Sequence, residues 1–153
     1  MRISAKGRYA MASLIFMARH YGTEKPVTIN GIAEEMNISK IYLEQVFSLL
    51  KRGKIVSSTK GSQGGYRLMK KPADISAFDI LVNIELSLME LPEAVTEKSP
   101  EYDRALDACI YKPLETAITD TLKAVSLEDL LNAVNDEANS LMYYIWLIFL
   151  HLQ

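Results

Sequence analysis

The segment 39-SKIYLEQVFSLLKRGKIVSSTKGSQGGYRL-68 joins two kinds of hydrophobic pattern within one short stretch of chain. Its first part places Leu43, Val46, Phe47 and Leu50 at positions i, i+3, i+4 and i+7, and this spacing predicts a helix with one buried face. After Gly53 the pattern changes to two short strand-like runs, 55–59 and 66–69, on either side of a glycine-rich tip. The second part therefore predicts a β-hairpin with a longer loop.

Two further helices are predicted upstream of this segment. Residues 8–21 place apolar side chains at helical spacing as far as Tyr21, and Gly22 follows as a stop. A shorter helix begins at Thr28 and ends at Asn37, because Asn tolerates the left-handed conformation of a sharp turn. Ser39 is then placed to cap the next helix. Helices in this order, followed by a hairpin, predict a winged helix-turn-helix, so the fold class is mainly α with a small β-hairpin wing.

The side chains that the buried stripe leaves outside suggest DNA binding. A helix fits the major groove, where glutamine and serine read base edges and Glu44 accepts from the cytosine amino group. Lys60 at the hairpin tip is long and positive, and the neighbouring glycines let the backbone approach a narrow groove. Tyr66 and Arg67 either brace the turn or touch phosphate. The residues predicted to contact DNA are Ser39, Lys40, Ile41, Tyr42, Glu44, Gln45, Ser48, Lys51, Arg52, Lys60, Gly61, Gly64, Gly65, Tyr66 and Arg67; the alternative is a solvated helix face and an ordinary glycine turn.

Charge is distributed very unevenly along the chain. Residues 1–71 carry 13 Lys and Arg against 4 Asp and Glu, whereas residues 72–153 carry 4 against 15, so net charges of +9 and −11 combine to −2. This asymmetry indicates either that the first half meets a polyanion or that two oppositely charged lobes attract each other.

The second half of the chain predicts helices that pair with a second copy. Ser76 with Asp79 and Ser126 with Asp129 resemble capping boxes that open two helices. Between them, Pro113 either lies in the first turn of a helix or kinks one that starts near Asp103. The predicted dimerisation seam is Leu114, Ala117, Ile118, Thr121, Leu122 and Val125. The domains are then 1–89, a winged helix-turn-helix; 90–137, a linker with dimerisation helices; and 138–153, an apolar C-terminal tail.

Other classes of function have little support in the sequence. His20, His151 and Cys109 have no metal-ligand spacing, and no nucleophile–base pair is evident, so we predict neither an enzyme nor a metal site. Cys109 is expected to be a small buried hydrophobe, with a redox sensor as the alternative. The apolar run 141–152 is shorter than the roughly 20 residues that span a bilayer, and a single cysteine suits the cytoplasm, so we predict a cytoplasmic protein with no membrane partner.

Four motifs in order make the chain resemble the Rrf-two (Rrf2) family of bacterial transcription regulators. They are MRISAKGRYA at 1–10, YLEQVF at 42–47, KGSQGGYRL at 60–68 and SLEDLL at 126–131. The resemblance implies a homodimeric, sequence-specific DNA-binding regulator, in most cases a repressor, paired through a long C-terminal helix. It also implies base reading at Ile41, Glu44 and Gln45 and minor-groove contacts at Lys60 and Gly61.

The resemblance also bears on cofactors and partners. Family members that hold an iron–sulfur cluster use three cysteines and a histidine before the dimer helix; here only Cys109 matches, and Lys112 stands at the histidine position. Since a cluster normally needs four protein ligands, we predict no cofactor. The tail 136-DEANSLMYYI-145 is similar to the end of a cluster-free member that represses cysteine and sulfur metabolism and docks a cysteine synthase through a terminal isoleucine, although this chain continues past Ile145. A protein-docking module that acts through the tail is the alternative function.

Overall fold

The computed structural model describes residues 3–61, 63–85, 88, 90 and 100–151, with the side chains of the last helix described as far as Met142. It is mostly helical, with one two-stranded antiparallel hairpin, as the sequence predicts. The elements are α1 (Ala5–Arg19), α2 (Ile29–Met36), α3 (Lys40–Arg52), β1 (Val56–Thr59), β2 (Gly65–Leu68), a 3₁₀ turn (Pro72–Asp74), α4 (Ala77–Leu81), α5 (Pro100–Leu106), a π-helical turn (Asp107–Tyr111), α6 (Lys112–Lys123) and α7 (Leu127–His151).

Helix α1 ends earlier than its sequence pattern predicts. Ser4 caps its first turn by accepting a hydrogen bond from the Gly7 N–H, and the helix ends at Arg19. The His20 N–H donates to Met17 O, a tighter 3₁₀ bond that closes the last turn. Tyr21 therefore lies outside the helix with 47% of its surface exposed, and the prediction that the helix extends to Tyr21 is wrong.

The helix-turn-helix forms as predicted, with one difference at a cap. Thr28 caps α2 through the Gly31 N–H, and Asn37 has the left-handed conformation, with φ at 51°. Ser39 occupies the N-cap position of α3, but its side chain makes no capping hydrogen bond there, so that prediction is wrong. The predicted stripe of α3 is fully buried and joins α1 and Ile32 in one core.

The end of α3 has a C-terminal cap in which lysine takes the usual place of glycine. Gly53 follows the helix with φ at −74°, whereas Lys54 has φ at 57°. The Lys54 N–H donates to Lys51 O and the Ile55 N–H to Leu50 O, which is the Schellman pattern. Gly53 is required for a different reason, because a Cβ there would lie 2.3 Å from the Asn83 side chain.

The hairpin is anchored to the core by a third backbone segment. Its strands pair Val56 with Leu68 and Thr59 with Gly65. Val27 forms an isolated bridge with Tyr66, since the N–H of each residue donates to the carbonyl of the other over 2.9 and 2.7 Å. The wing therefore has its root fixed to the segment between α1 and α2.

Helices α4 and α7 both start from one antiparallel bridge between Ser76 and Ser126. The Ala77 N–H donates to Val125 O and the Leu127 N–H to Ile75 O, both over 2.8 Å. Both predicted capping boxes are present: the carboxylates of Asp79 and Asp129 accept from the backbone and hydroxyl of the serine three residues earlier. This bridge attaches the second half of the chain to the core of the first.

Pro113 lies in the first turn of a helix, as one alternative predicts, but helical residues also precede it, as the other alternative predicts. Helical residues begin at Pro100, and Pro113 lies in the first turn of α6. The π-helical turn just before it shifts the pairing, so that the Lys112 N–H bonds to Asp107 O five residues back. Such a turn lets the helix continue past a residue that has no N–H of its own.

The last helix runs without a break from the core into the predicted tail. Leu127 is fully buried, and Leu131 packs against the same core, whereas residues 135–142 are all exposed. The tail at 138–153 thus begins inside α7 rather than after it. The domain limits remain predictions, and most of the predicted linker, residues 91–99, lies outside the described residues.

Candidate nucleic-acid interface

Most of the predicted DNA-contacting residues of α3 lie on one exposed surface. Ile41 is one of them, with 70% of its surface exposed, although it is apolar. Tyr42 differs, because it is half-buried and its ring makes an edge contact with Tyr9 at 5.3 Å between centroids. The exposed members are Ser39, Lys40, Ile41, Glu44, Gln45, Ser48, Lys51 and Arg52. The buried stripe on the opposite side of the helix fixes this orientation.

The wing tip comes level with the first two turns of α3. Ile55 bonds to Leu50, so β1 starts beside the end of the helix. Ser58 pairs with Tyr66, whose ring lies 4.7 Å from that of Phe47, so β1 runs back along α3. Between these two points three strand residues correspond to three helix residues, so the strand is inclined to the helix axis. At the same ratio, the two residues from Ser58 to Lys60 bring Lys60 level with about Gln45, in the second turn of α3.

The basic residues of α3 and the wing lie in two separate groups. Lys40 and Lys60 both lie beside the first two turns of α3. Lys51 and Arg52 lie at the opposite end, together with Lys54, which sequence reasoning did not select. The structure therefore does not bring all the predicted cations to one place.

The conformation of the tip requires glycine at two positions. Gly61 has φ at +105°, and a side chain there would point into open space. A Cβ on Gly64 would lie 2.4 Å from Thr59 O, because the Gly64 N–H closes a turn on Gly61 O at 2.9 Å. Ser62, between them, is outside the described residues. The tip is therefore narrow, with Lys60 exposed beside it.

Tyr66 and Arg67 lie where they brace the wing. The Arg67 guanidinium donates to Thr23 O at 2.8 Å and to Glu24 O, both in the turn after α1. Tyr66 packs edge-on against Phe47. These contacts fix the wing relative to α3, which is the bracing alternative of the sequence analysis. Sequence reasoning missed Val27 and the 23–24 turn as the other half of the brace, because a single extended residue gives no strand pattern.

The predicted dimerisation seam is largely exposed in the single chain. Leu114 has 56% of its surface exposed, Ala117 and Thr121 are exposed, and Ile118, Leu122 and Val125 are half-buried. An exposed apolar stripe of this kind is typical of a surface that contacts another protein, because burial of apolar surface away from water is favourable. The other face of α6 is held to its own chain by Lys123, whose ammonium lies 5.1 Å from the centre of the Phe78 ring.

Cys109 is exposed rather than buried, so the prediction of a small buried hydrophobe is wrong. It lies in the π-helical turn, where Lys112 Nζ pairs with an Asp107 carboxylate oxygen at 2.6 Å. No group of three or more His, Cys, Asp or Glu side chains in the described ranges is arranged to hold a metal ion. One thiol does not supply the four protein ligands that an iron–sulfur cluster normally requires, so these residues do not fit a cluster.

None of the helices in the described part of the chain is long and apolar enough to cross a bilayer.

A three-helix core with a recognition helix and a β-hairpin level with its first turns defines a winged helix-turn-helix protein of the DNA-binding class. The profile of the Rrf2 family, described as "Iron-dependent Transcriptional regulator", matches residues 3–133. The chain belongs to the Rrf2 family, as its motifs predict.

Relatives and solved structures agree with this assignment. The chain is 36% identical over 132 residues to the HTH-type transcriptional regulator IscR of Photorhabdus laumondii, covering 86% of this chain and 80% of that protein. It is 34% identical over 145 residues to CymR of Bacillus subtilis, covering 95% and 100%. The crystal structure titled as CymR, the global cysteine regulator of B. subtilis, superposes with a TM-score of 0.70 at 31% identity, covering 87% and 98% of the two chains. The protein is a transcription regulator and not an enzyme.

Proposed function

We propose that the protein is a homodimeric, sequence-specific DNA-binding repressor that reads one operator half-site with each copy. The observation that supports this most directly is that Lys60 at the wing tip comes level with the first turns of α3. A helix in the major groove and a hairpin in the next minor groove need this arrangement.

Four exposed residues of α3 have a chemical role in the proposal. Gln45 and Ser48 donate to and accept from base edges, and Glu44 accepts from a cytosine amino group. Glu44 would repel phosphate, so its place among cations favours base reading over general attraction to DNA. Ile41, exposed and apolar, suits the methyl group of thymine. Lys60 and the glycines beside it reach into the minor groove.

The second copy joins through α6. A dimer with twofold symmetry presents two recognition helices to two half-sites about one helical turn apart, so the operator should be an inverted repeat. The exposed seam on α6 is the surface that this pairing would bury. Loss of pairing would leave each half-site to bind alone and would weaken the complex by the linkage between the two sites.

The test is selection of bound fragments from the source genome, followed by titration of the preferred one at about 150 mM salt. We expect an inverted repeat bound at 10⁻⁸ M or tighter. Gln45→Ala should lose roughly 1–3 kcal/mol on that operator and little on unrelated DNA. Gln63→Ala is the matched control, since Gln63 is exposed at the tip but has no assigned role. Equal affinity for all fragments would contradict the proposal.

We extend the proposal to genes of cysteine and sulfur metabolism, because one relative of known structure is titled the global cysteine regulator of its organism. The protein would act in the cytoplasm and without an iron–sulfur cluster, since Cys109 is its single cysteine. The genes that lie beside the selected operators test whether the regulated pathway is cysteine and sulfur metabolism. The colour and iron content of the purified protein test the absence of a cluster: the proposal expects a colourless protein without iron.

Redox control through Cys109 is one alternative function. The thiol of Cys109 is exposed, so an oxidant in solution could reach it. If Cys109→Ser abolished the response of operator binding to oxidant, the redox alternative would stand. An unchanged response would remove it. The other alternative is a protein-docking module that binds a cysteine synthase-type enzyme through its tail; truncation after Asn139 should then abolish enzyme binding while operator binding persists.

A further inference from the structure

A pocket of about 360 Å³ lies at the root of the wing, between the end of α1, the segment that follows it and strand β2. This volume is within the range of sites that hold small molecules, roughly 300–1,000 Å³. The pocket is separate from the base-reading residues of α3 and from the seam on α6. We call it the wing-root pocket, and the lining residues that carry the argument are Met17, His20, Lys25, Val27, Arg67 and Leu68.

The wing-root pocket carries positive charge that no acidic side chain in its described lining balances. Lys25 and Arg67 both line it, whereas Glu24 lines a neighbouring groove and is not part of this wall. The Arg67 guanidinium donates to Thr23 O at 2.8 Å and to Glu24 O, and its other N–H groups have no partner among the described residues. Neither cation forms an ion pair in that part of the chain. The pocket therefore favours an anion.

Much of the remaining wall is apolar. Met17 forms part of it with 2% of its surface exposed, and Val27 and Leu68 contribute further apolar lining. His20 belongs to the same wall; its Nδ1 donates to Phe16 O at 2.9 Å, and its Nε2 has no partner within the described ranges. A carboxylate matches a planar guanidinium with two parallel hydrogen bonds. The combination suits a molecule with one carboxylate and an apolar body better than a compact, strongly hydrated anion such as inorganic phosphate.

We propose that the wing-root pocket binds a small carboxylic acid with an apolar body, and that the bound acid tightens binding to the operator. Binding of the acid needs no DNA, whereas its effect on the operator rests on the proposed function.

The position of the pocket gives the reason for the coupling. Two contacts hold the wing to the segment between α1 and α2: the hydrogen bonds from Arg67 to the 23–24 turn, and the backbone bridge between Val27 and Tyr66. An acid bound by Lys25 and Arg67 would add a third link across the same junction and would favour the wing position that places its tip beside α3. Because acid and operator then favour one conformation, each raises the affinity for the other by the same factor.

Calorimetric titration of the full chain without DNA tests the site. Hexanoate is the probe, and its controls are hexanamide, which lacks the charge, acetate, which lacks most of the apolar body, and inorganic phosphate, which lacks both the carboxylate and the apolar body. We expect hexanoate to bind about tenfold or more tightly than each control, because a charged hydrogen bond or several buried methylene groups contribute that much. Absence of hexanoate binding, or equal affinity for any control, overturns the proposal.

Two lysine variants test whether hexanoate binds in this pocket. Lys25→Gln removes one of its cations and should weaken hexanoate binding about tenfold or more. Lys70→Gln, the same loss of charge at an exposed residue outside the pocket, should bind hexanoate like the parent chain. Circular dichroism confirms that both variants are folded. Equal weakening in the two variants would mean that general charge attracts the acid, and this result would contradict the proposal.

Operator titration with and without saturating hexanoate tests the coupling. We expect the parent chain to bind the operator about fivefold or more tightly with hexanoate, and the Lys25→Gln variant to show almost no change at the same concentration. Unchanged or weaker operator binding by the hexanoate-bound parent would overturn the coupling. A protein with no operator preference at all would contradict the proposed function, whereas calorimetry would still decide whether the pocket binds the acid.

Discussion

The described residues of the first part of the chain, 3–85, and those of the last part, 100–151, bury their apolar side chains in opposite ways. In the first part α1, α3 and the hairpin enclose a core in which Leu14, Phe47 and Leu50 have no exposed surface. In the last part, α5 and α6 have no buried residue at all, and α7 leaves the core after its second turn. The first part buries its apolar side chains within one chain, whereas the second leaves much of its apolar surface exposed. The first part lies mostly in the basic half of the chain, residues 1–71, and the last part lies wholly in the acidic half, residues 72–153.

The largest effect is expected from a substitution in the core of the first part, residues 3–85, called here the self-contained part. Phe47→Ala should lower the free energy of unfolding by about 3–5 kcal/mol, because the ring is fully buried and its loss leaves a cavity beside Tyr66. Chemical denaturation measures this loss. Tyr102→Ala, on α5 and outside the seam, is the control and should leave the free energy of unfolding nearly unchanged, because 62% of the Tyr102 surface is exposed. Equal losses would mean that the two parts do not differ as described.

The second prediction concerns the last part, residues 100–151, and its exposed seam on α6. Leu122→Asp should leave the fold intact and weaken operator binding about a hundredfold or more, since two linked half-sites become two separate ones. Affinity for an isolated half-site should not change. Titration of both DNA lengths measures the effect, and Thr116→Asp, the same charge at an exposed position of α6 outside the seam, is the control. A variant that binds the full operator as well as the parent would contradict the role of the seam.

Sequence patterns predict more of the self-contained part than of the other. The stripe of α3, the caps at Thr28 and Asn37 and both capping boxes depend on residues close in the chain, so local rules find them. The sequence pattern misplaced Tyr21 inside α1 and gave no sign of the left-handed Lys54 after α3. Both depend on which backbone hydrogen bonds close the last turn of a helix. The brace between Arg67 and the 23–24 turn joins residues more than forty positions apart, and no local pattern records it.

The third prediction compares the two ends of the DNA-facing half. Lys60→Ala should weaken binding to every DNA sequence and reduce the slope of log affinity against log salt by about 1, because one phosphate contact is lost. Lys54→Ala, at the far end of α3, should change neither. Fluorescence anisotropy at several salt concentrations gives both slopes. Equal salt slopes for the Lys60→Ala and Lys54→Ala variants would mean that Lys60 makes no contact with the DNA phosphate backbone.

The smallest effect concerns the bridge that joins the two parts. Burial opposes ionisation of Asp79, but hydrogen bonds from the backbone and hydroxyl of Ser76 outweigh it and hold the pKa of that carboxyl below its usual value. Because the folded pKa is depressed, the stabilisation is present above the unfolded value near 3.9 and is lost as pH falls through the folded value. Asp79→Asn should cost about 1 kcal/mol at pH 7 and almost nothing at the acid end.

Urea denaturation from pH 7 down to pH 2 measures that difference. Asp136→Asn, an exposed carboxylate in the middle of α7, is the control. A cost for Asp79→Asn that does not shrink below pH 4 would show that the carboxylate's charge is not what stabilises the cap.

The most direct test of the DNA-binding geometry is cleavage by an iron chelate attached to single cysteines in the Cys109→Ser chain. Gln63→Cys places the chelate at the wing tip, and Lys54→Cys places it at the far end of α3 as the control. The geometry predicts two symmetric cuts from position 63, each in the minor groove beside a half-site that Gln45 reads, and none from position 54. Cuts from position 54 alone, or equal cutting from both positions, would contradict it.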